Sequence, residues 1–215
     1  MDPAVFVQRN TVVAAPPLVP EIRLHLATEI TPIWHATEET LARSALPPPF
    51  WAFAWAGGQA LARYLLDHPD RVAGRLVLDF GAGSGLVAIA AARAGAASVV
   101  AAEIDHFAMA AIAANATLNE VAVAVTTTNV LGAVDASWEV VTAGDVCYEQ
   151  PMAGRVATWL RVLAERGSLV LLGDPGRAYL PQRNLVECAR YIVPTSRELE
   201  DRETREGVVW QLLPS

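Results

Sequence analysis

The sequence predicts an α/β fold: a doubly wound, seven-stranded mixed sheet with helices on both faces. Three observations predict it. The apolar run Leu76–Leu78 is typical of a buried parallel strand. Alternating glycines follow it, and the alanine-rich segment Leu86–Ala94 then has the pattern of a helix. Because strands and helices alternate further along the chain, we predict one Rossmann-like domain at residues 47–215 and a short N-terminal extension at residues 1–46.

The composition indicates a globular protein with a sizeable core, since 53% of its 215 residues are hydrophobic. A net charge of −7 argues against nucleic acid as a partner. Cys147 and Cys188 fit no metal-type spacing, so we predict neither a metal site nor a disulfide framework. The first residues lack the pattern of a signal peptide, and Arg93 and Gly95 interrupt the apolar stretch Leu86–Ile104. We therefore expect a cytoplasmic protein without a membrane segment.

All 16 basic residues are arginine, and the chain contains no lysine. Nucleotide composition bias is one interpretation of this usage. A second is that an enzyme that modifies lysine avoids modifying itself. The sequence does not separate the two.

The N-terminal elements are predicted to be short. Met1–Pro20 is interrupted by prolines, and we expect it to be loosely packed. Glu21–Thr28 alternates apolar and polar residues, which predicts a short edge strand. Thr37–Ser44 can form one or two helical turns, which the prolines at 47–49 end.

An aromatic segment, Phe50–Gln59, leads into the next predicted helix, Gln59–Leu66. It has four aromatic rings in its first six residues, and core packing accounts for some of them. The other interpretation is that one or two of the rings form a wall of a ligand pocket. Trp55, the ring nearest the pair Gly57–Gly58, is our candidate because an indole face attracts cations.

The strand that begins at Leu76 ends in Asp79, and Gly81, Gly83 and Gly85 follow at alternate positions. Glycines without a Cβ let a ligand approach the backbone, although a purely structural turn remains the alternative. A dinucleotide-binding turn usually reads G-x-G-x-x-G, whereas this one reads G-x-G-x-G. An acidic residue at Asp79 suits a ligand with a cationic amino-acid end better than one with a pyrophosphate. We therefore place a ligand at this turn.

The same alternation continues to the C-terminus. The sequence predicts strands at Ser98–Glu103, Val121–Thr128, Trp138–Ala143, Gly167–Leu172, Tyr191–Pro194 and Gly207–Leu213, and helices at His106–Leu118, Met152–Glu165 and Asn184–Arg190.

Ligands of open α/β sheets bind at the carboxyl ends of the strands, where several polar residues are predicted to meet. Glu103 lies twenty residues after Gly83 and can accept hydrogen bonds from a ribose diol. Asp105 is the alternative acceptor, or it caps the next helix. Asn129 and Val130 follow the third strand and are placed against an adenine ring, by an amide hydrogen bond and apolar contact.

The string D-x-G-x-G-x-G at a strand end resembles motif I of class I methyltransferases, which bind S-adenosylmethionine. Asp145 and Tyr148 supply the D-x-x-Y signature of the seven-strand protein-lysine methyltransferases. The stretches PPFWAFAWAGGQ, AGDVCYE and LLGDPGRAYLP are similar to the lysine methyltransferases of the electron-transfer flavoprotein β-subunit. That resemblance spans most of Pro48–Pro181. The ribosomal-protein L11 methyltransferases show a related pattern and are the alternative family.

The resemblance implies methyl transfer from S-adenosylmethionine to a lysine ε-amine on a folded protein, with that β-subunit as the expected target. In this family, Asp145 would accept a hydrogen bond from the amine and Tyr148 would form a wall of its channel. Glu149 would orient the lysine or take a proton through water, unless it is a solvated charge at the start of a helix. Ala143, which ends the fourth strand, is placed at the cofactor. Asp174 would line the substrate entrance or form a turn.

Two other classes of protein remain open from the sequence. An NAD(P)-dependent oxidoreductase would share the strand–turn–helix start and the ribose acid. A cofactor-binding protein without catalysis would keep the glycine turn but would not need an acid and a tyrosine after the fourth strand.

Overall fold

The computed structural model describes residues 2–28, 31, 33, 48–134, 137–195 and 202–215. A seven-stranded mixed sheet forms its centre and confirms the predicted fold class. Its strands are β3 Leu76–Phe80, β4 Ser98–Ala102, β5 Ala124–Thr126, β6 Val140–Gly144, β7 Leu169–Asp174, β8 Leu185–Pro194 and β9 Thr204–Leu212. They lie in the order β5-β4-β3-β6-β7-β9-β8; strands β3 to β7 run parallel, and β9 is antiparallel to both β7 and β8.

Helices cover both faces of the sheet, because alternate residues of the central strands point to opposite sides. The helices are α2 Ala56–Asp67, α3 Leu86–Arg93, α4 His106–Leu118 and α5 Met152–Glu165, and the last three match the predicted segments closely. Val77 packs in the cluster that contains α2 and α3, whereas Leu78 packs in the cluster that contains α5. No helix within the described ranges is long and apolar enough to cross a membrane.

The N-terminal segment is more ordered than the sequence predicts. Helix α1 spans Pro3–Asn10, and the Asp2 side chain caps it by accepting hydrogen bonds from two backbone amides. Phe6 and Val7 are buried, and the Phe6 ring lies 4.5 Å from that of Phe107 on α4. The expectation of loose packing at Met1–Pro20 is therefore wrong for α1, because this apolar pair covers one side of α4.

The predicted edge strand at Glu21–Thr28 is present in part. Strand β2, Leu24–Leu26, pairs with β1, Val12–Ala14, in a separate two-stranded antiparallel sheet. The Asn115 side chain of α4 accepts a hydrogen bond from the His25 backbone at 2.7 Å and so fixes this small sheet to the domain. The helical turns predicted at Thr37–Ser44 lie outside the described residues.

The prediction of a helix at Asn184–Arg190 is wrong, because the ten-residue strand β8 begins at Leu185. Strand β8 pairs along its length with β9, with one irregularity between Glu187 and Ala189. Local sequence favours a helix here, but pairing with β9, which is distant in sequence, decides the conformation. The predicted short strand at Tyr191–Pro194 is the end of the same element.

Two glycine contacts bring α2 against the sheet. A Cβ on Gly57 would collide with the carbonyl oxygen of Gly173, at the end of β7, and a Cβ on Gly173 would collide with the carbonyl oxygen of Gly57. A Cβ on Gly144 would lie 3.0 Å from the Gly58 Cα. The N-terminus of α2 therefore lies directly against the carboxyl ends of β6 and β7.

Candidate active site

A cavity of about 510 Å³ opens at the carboxyl edge of the sheet. Its walls come from the loops after β3, β4, β5 and β6, from the aromatic segment before α2 and from the loop after β7. Eight predicted site residues line it: Trp55, Gly81, Gly83, Glu103, Asn129, Val130, Asp145 and Tyr148. A smaller cavity of about 50 Å³ shares several of these residues and is also bounded by Asp79.

The glycine turn after β3 needs glycine for its backbone conformation. Gly81, Gly83 and Gly85 have φ values of 64°, 53° and 80°, in the left-handed region that L side chains rarely adopt. A Cβ on Gly85 would also lie 3.2 Å from the Ile112 side chain of α4. The turn thus presents bare backbone to the cavity at Gly81 and Gly83, while Gly85 packs against a helix.

Glu103 ties the end of β4 to the glycine turn. One carboxylate oxygen accepts a hydrogen bond from the Gly83 amide at 3.0 Å, and the other accepts from the amides of Ile104 and Asp105. A carboxylate has about four acceptor positions, so capacity remains on the oxygen that bonds Gly83. Asp105 caps α4 through a 2.8 Å hydrogen bond from the Phe107 amide, as its alternative interpretation predicts.

Asp79 lies below the turn and is almost fully buried. Its carboxylate accepts hydrogen bonds from the Thr142 hydroxyl at 2.9 Å and from the Ala88 amide at 3.0 Å. Burial raises the pKa of Asp79 to about 7, against the effect of these two hydrogen bonds. The side chain connects β3, β6 and α3, and its contact with a cationic ligand stays a prediction.

Three predicted site residues, Gly85, Ala143 and Glu149, line neither cavity. The Ala143 side chain is buried in the cluster that contains α5, and the next residue, Gly144, lines the cavity instead. The predicted position of Ala143 at the cofactor is therefore corrected: its side chain faces α5 and not the cavity, because side chains alternate between the two faces along β6. Glu149 is exposed, and its carbonyl accepts a hydrogen bond from Ala153 in the first turn of α5. Its alternative interpretation, a solvated charge at a helix start, fits this position.

Asp145 is held from three sides in an uncommon conformation. Its φ of 56° lies in the left-handed region, which Asp and Asn tolerate better than other residues. Its amide donates to the Gly173 carbonyl at 2.9 Å, and one carboxylate oxygen accepts from the Gly58 amide at 2.7 Å. Burial raises the pKa of Asp145 to about 7, although Arg177 and the Gly58 amide oppose the effect.

Tyr148 stands at the opening of the cavity and is 48% exposed. Its ring contacts the Phe50 ring edge-on at 5.7 Å. Partial burial raises the pKa of the Tyr148 hydroxyl, and the negative charges of Glu149 and Glu103 add to the effect. The hydroxyl is therefore protonated at neutral pH and can both donate and accept hydrogen bonds.

Arg177 is a site residue that the sequence reasoning did not assign. Its guanidinium donates to Asp145 at 2.9 Å, and its Cζ lies 5.6 Å from the centroid of the Trp55 ring. Asp174 accepts hydrogen bonds from the backbone amides of Gly176 and Arg177, which supports its predicted turn role. The sequence places this loop at the same edge of the sheet, because it follows β7, but it does not indicate the contact between Arg177 and Asp145.

The sheet order and the glycine turn at the cavity define the fold of a class I methyltransferase. The ribosomal protein L11 methyltransferase (PrmA) family model matches residues 60–148. A ribosomal protein L11 methylase from Lactobacillus delbrueckii subsp. bulgaricus shares the fold, with a TM-score of 0.52, 23% identity and coverage of 75% of this chain and 81% of that chain. Magnesium protoporphyrin IX methyltransferase from Synechocystis PCC 6803, solved with SAM bound, also shares the fold. Its TM-score is 0.52 at 18% identity, and the match covers 72% of this chain and 76% of that chain.

Curated relatives match nearly the whole chain. The electron transfer flavoprotein beta subunit lysine methyltransferase of Danio rerio is 38% identical over 213 residues, which are 96% of this chain and 81% of that protein. The Homo sapiens protein of the same name is 35% identical over 223 residues, which are 100% of this chain and 84% of that protein. The chain belongs to the electron transfer flavoprotein beta subunit lysine methyltransferase family. It is therefore a methyltransferase and not an oxidoreductase.

Proposed function

We propose that this chain transfers methyl groups from S-adenosylmethionine to a lysine ε-amine of the electron-transfer flavoprotein β-subunit. The observation that carries the proposal is the position of Asp145 and Tyr148 in the same cavity as the glycine turn and Glu103. The expected donor and acceptor sites therefore share one cavity. The names of the relatives supply the expected target.

The residues at the glycine turn fit S-adenosylmethionine. Bare backbone at Gly81 and Gly83 admits the ligand closely, the free acceptor capacity of Glu103 suits ribose hydroxyls, and Asn129 and Val130 offer a polar and an apolar contact to an adenine. When bound, the cofactor supplies an electrophilic methyl group on a sulfonium centre. Trp55 lines the same cavity, but the Arg177 guanidinium already lies over its ring at 5.6 Å, so a contact of Trp55 with the sulfonium stays a prediction.

The chain's own residues act on the lysine. A free lysine has a pKa of about 10.4, so only about one in two thousand is neutral at pH 7. Apolar walls at the cavity, including Phe50 and Tyr148, remove water from the amine and so favour its neutral form. Asp145 accepts a hydrogen bond from the neutral amine and thereby orients its lone pair, and Tyr148 restricts the approach of the side chain.

We expect Glu103→Ala to weaken binding of S-adenosylhomocysteine by about 1–3 kcal/mol, because ribose hydroxyls and the Gly83 amide both lose an acceptor. Titration calorimetry measures the change. Glu139→Ala is a matched control, because Glu139 accepts a hydrogen bond from the Leu76 amide at the opposite end of β3. Equal affinities for the Glu103 variant and the unaltered protein would remove Glu103 from the cofactor site.

A folded protein substrate also fits the entrance of the cavity. Phe50, Tyr148 and Met152 line it and are 50%, 48% and 37% exposed. Exposed apolar side chains around a cavity are typical of a surface that contacts another macromolecule. We refer to Phe50, Tyr148 and Met152 as the mouth residues.

We expect Phe50→Ala to raise KM for the protein substrate by about fivefold or more, as for a residue at the centre of an interface. Methylation rates at varied substrate concentration measure it. Ile192→Ala on β8 is a matched control, because Ile192 is 59% exposed and does not line the cavity. An unchanged KM for the Phe50 variant would show that Phe50 does not contribute to binding of the protein substrate.

Incubation of the enzyme and labelled S-adenosylmethionine with a lysate tests the target. We expect label on the flavoprotein β-subunit, identified by mass spectrometry after separation. The enzyme itself contains no lysine, so lysine-linked label cannot come from self-methylation. Lysine label on another protein alone would overturn the target, and label on residues other than lysine would overturn the reaction.

A further inference from the structure

Arg177 connects two walls of the cavity at the end where Asp145 lies. Its guanidinium donates to one oxygen of Asp145 at 2.9 Å and lies over the Trp55 ring at 5.6 Å. The loop that carries it is fixed by Asp174, which accepts hydrogen bonds from the Gly176 and Arg177 amides at 2.7 and 2.6 Å. The guanidinium is therefore presented to Asp145 by an ordered turn, and the indole face supports it from the side.

The groups around Asp145 differ in charge and in the element that carries them. From α2, the Gly58 amide donates to the second carboxylate oxygen. The loop after β7 carries the cation of Arg177, and the end of β7 carries the buried carboxyl of Asp174; their effects on Asp145 are opposite. From its own loop, Cys147 is neutral, since burial raises the pKa of its thiol to about 12, and Tyr148 is also protonated. Among these described groups, Arg177 is thus the cation that faces the carboxyls of Asp145 and Asp174.

An unbalanced carboxylate would hinder methyl transfer in two ways. Burial would protonate it, and a protonated Asp145 would donate to the amine and occupy the lone pair that must attack. If it stayed ionised, its negative charge would favour the ammonium form of the incoming lysine, which has no lone pair. A carboxylate paired with a fixed cation reduces both effects, because its ionised form is favoured and still accepts a hydrogen bond while the pair carries no net charge.

We propose that Arg177 is a positioning residue that favours the ionised form of Asp145 against the effect of burial and at the same time prevents the pair from holding the substrate lysine as an ammonium ion. The inference rests on the proposed lysine methylation. Arg177 acts through Asp145, and the proton lost by the lysine goes to solvent before the amine attacks. It follows that Arg177 lowers the pH at which turnover reaches half of its maximum.

The test compares Arg177→Met with Arg177→Lys, which keeps the positive charge. We expect the pH at half-maximal kcat to rise by about one unit in Arg177→Met, because loss of the cation raises the pKa values of both Asp145 and the bound lysine. The Arg177→Lys profile should stay close to that of the unaltered enzyme. Binding of S-adenosylhomocysteine should change little in either variant. A midpoint that does not move in Arg177→Met, with only a lower plateau, would show a purely structural role and overturn the inference.

A second readout is independent of methylation activity. Carbon NMR of the labelled Asp145 carboxyl follows its ionisation directly, and we expect a higher midpoint in Arg177→Met than in the unaltered protein. If Arg177→Met does not fold, Arg177→Gln takes its place, because it keeps a hydrogen-bond donor but not the charge. Equal midpoints in the variant and the unaltered protein would overturn the inference. An inactive unaltered enzyme would instead refute the proposed function, and the NMR comparison would still decide the role of Arg177.

Discussion

Asp145→Asn should lower kcat on the order of a hundredfold, as for other positioned catalytic groups, while affinity for S-adenosylhomocysteine stays nearly unchanged. The variant keeps the size of the side chain and one acceptor for the Gly58 amide, but it loses the charge that pairs with Arg177. Its turnover falls because the amine loses its acceptor and orientation. Single-turnover methylation and titration calorimetry together measure the two effects.

Asn is a cleaner replacement than Ala at this position. The φ of 56° at Asp145 is tolerated by Asn, whereas Ala adds backbone strain and also leaves the Gly58 amide without its acceptor. Asp145→Ala should therefore lose at least as much turnover and also some stability. Glu149→Gln is the companion variant, and we expect it to keep most of the turnover because Glu149 is exposed outside the cavity. A normal rate in Asp145→Asn would exclude Asp145 from the reaction, and loss of cofactor binding would assign it to the cofactor instead.

Gly83→Val should abolish measurable binding of S-adenosylhomocysteine and leave a folded protein. The backbone at Gly83 has a φ of 53°, which a β-branched residue rarely adopts, and its amide donates to Glu103. A Cβ there would meet no protein atom closer than the Trp51 Cα at 3.8 Å, so the added side chain extends into ligand space rather than into the core. Calorimetry with the ligand and circular dichroism of the fold measure both parts.

Gly74→Val is the matched control for backbone strain. Gly74 has a φ of 72°, and a Cβ there would meet nothing within 4 Å. It precedes β3 at the amino end, away from the cavity. We expect this variant to lose some stability but to keep ligand affinity. Normal ligand binding by Gly83→Val would show that the glycine turn is not the cofactor site.

The sequence predicts elements best where local pattern and tertiary packing agree. The segment from β3 to α4 has buried strands, a glycine turn and two helices, the second of them capped by Asp105, so each local preference matches the final fold. Helix α1 and strand β8 depend on contacts that are distant in sequence, with α4 and with β9. Sequence pattern alone does not contain those contacts.

The sequence predicts those site residues whose position follows from the order of the strands. The residues after each strand end are set by topology, so Glu103, Asn129 and Asp145 were predicted at the cavity. Ala143 does not line the cavity, because side chains alternate between the two faces of the sheet along β6. Arg177 was missed because its role depends on a contact between two loops, and no single motif encodes that contact.

Mass spectrometry of purified electron-transfer flavoprotein β-subunit after incubation with this enzyme and S-adenosylmethionine tests the proposed function most directly. We expect mass increases of one or more methyl groups, located on lysine by peptide fragmentation, and a strongly reduced rate with Asp145→Asn. The β-subunit should remain unmethylated with Gly83→Val. Absence of lysine methylation by the unaltered enzyme, under conditions in which it binds S-adenosylhomocysteine, would contradict the proposed function.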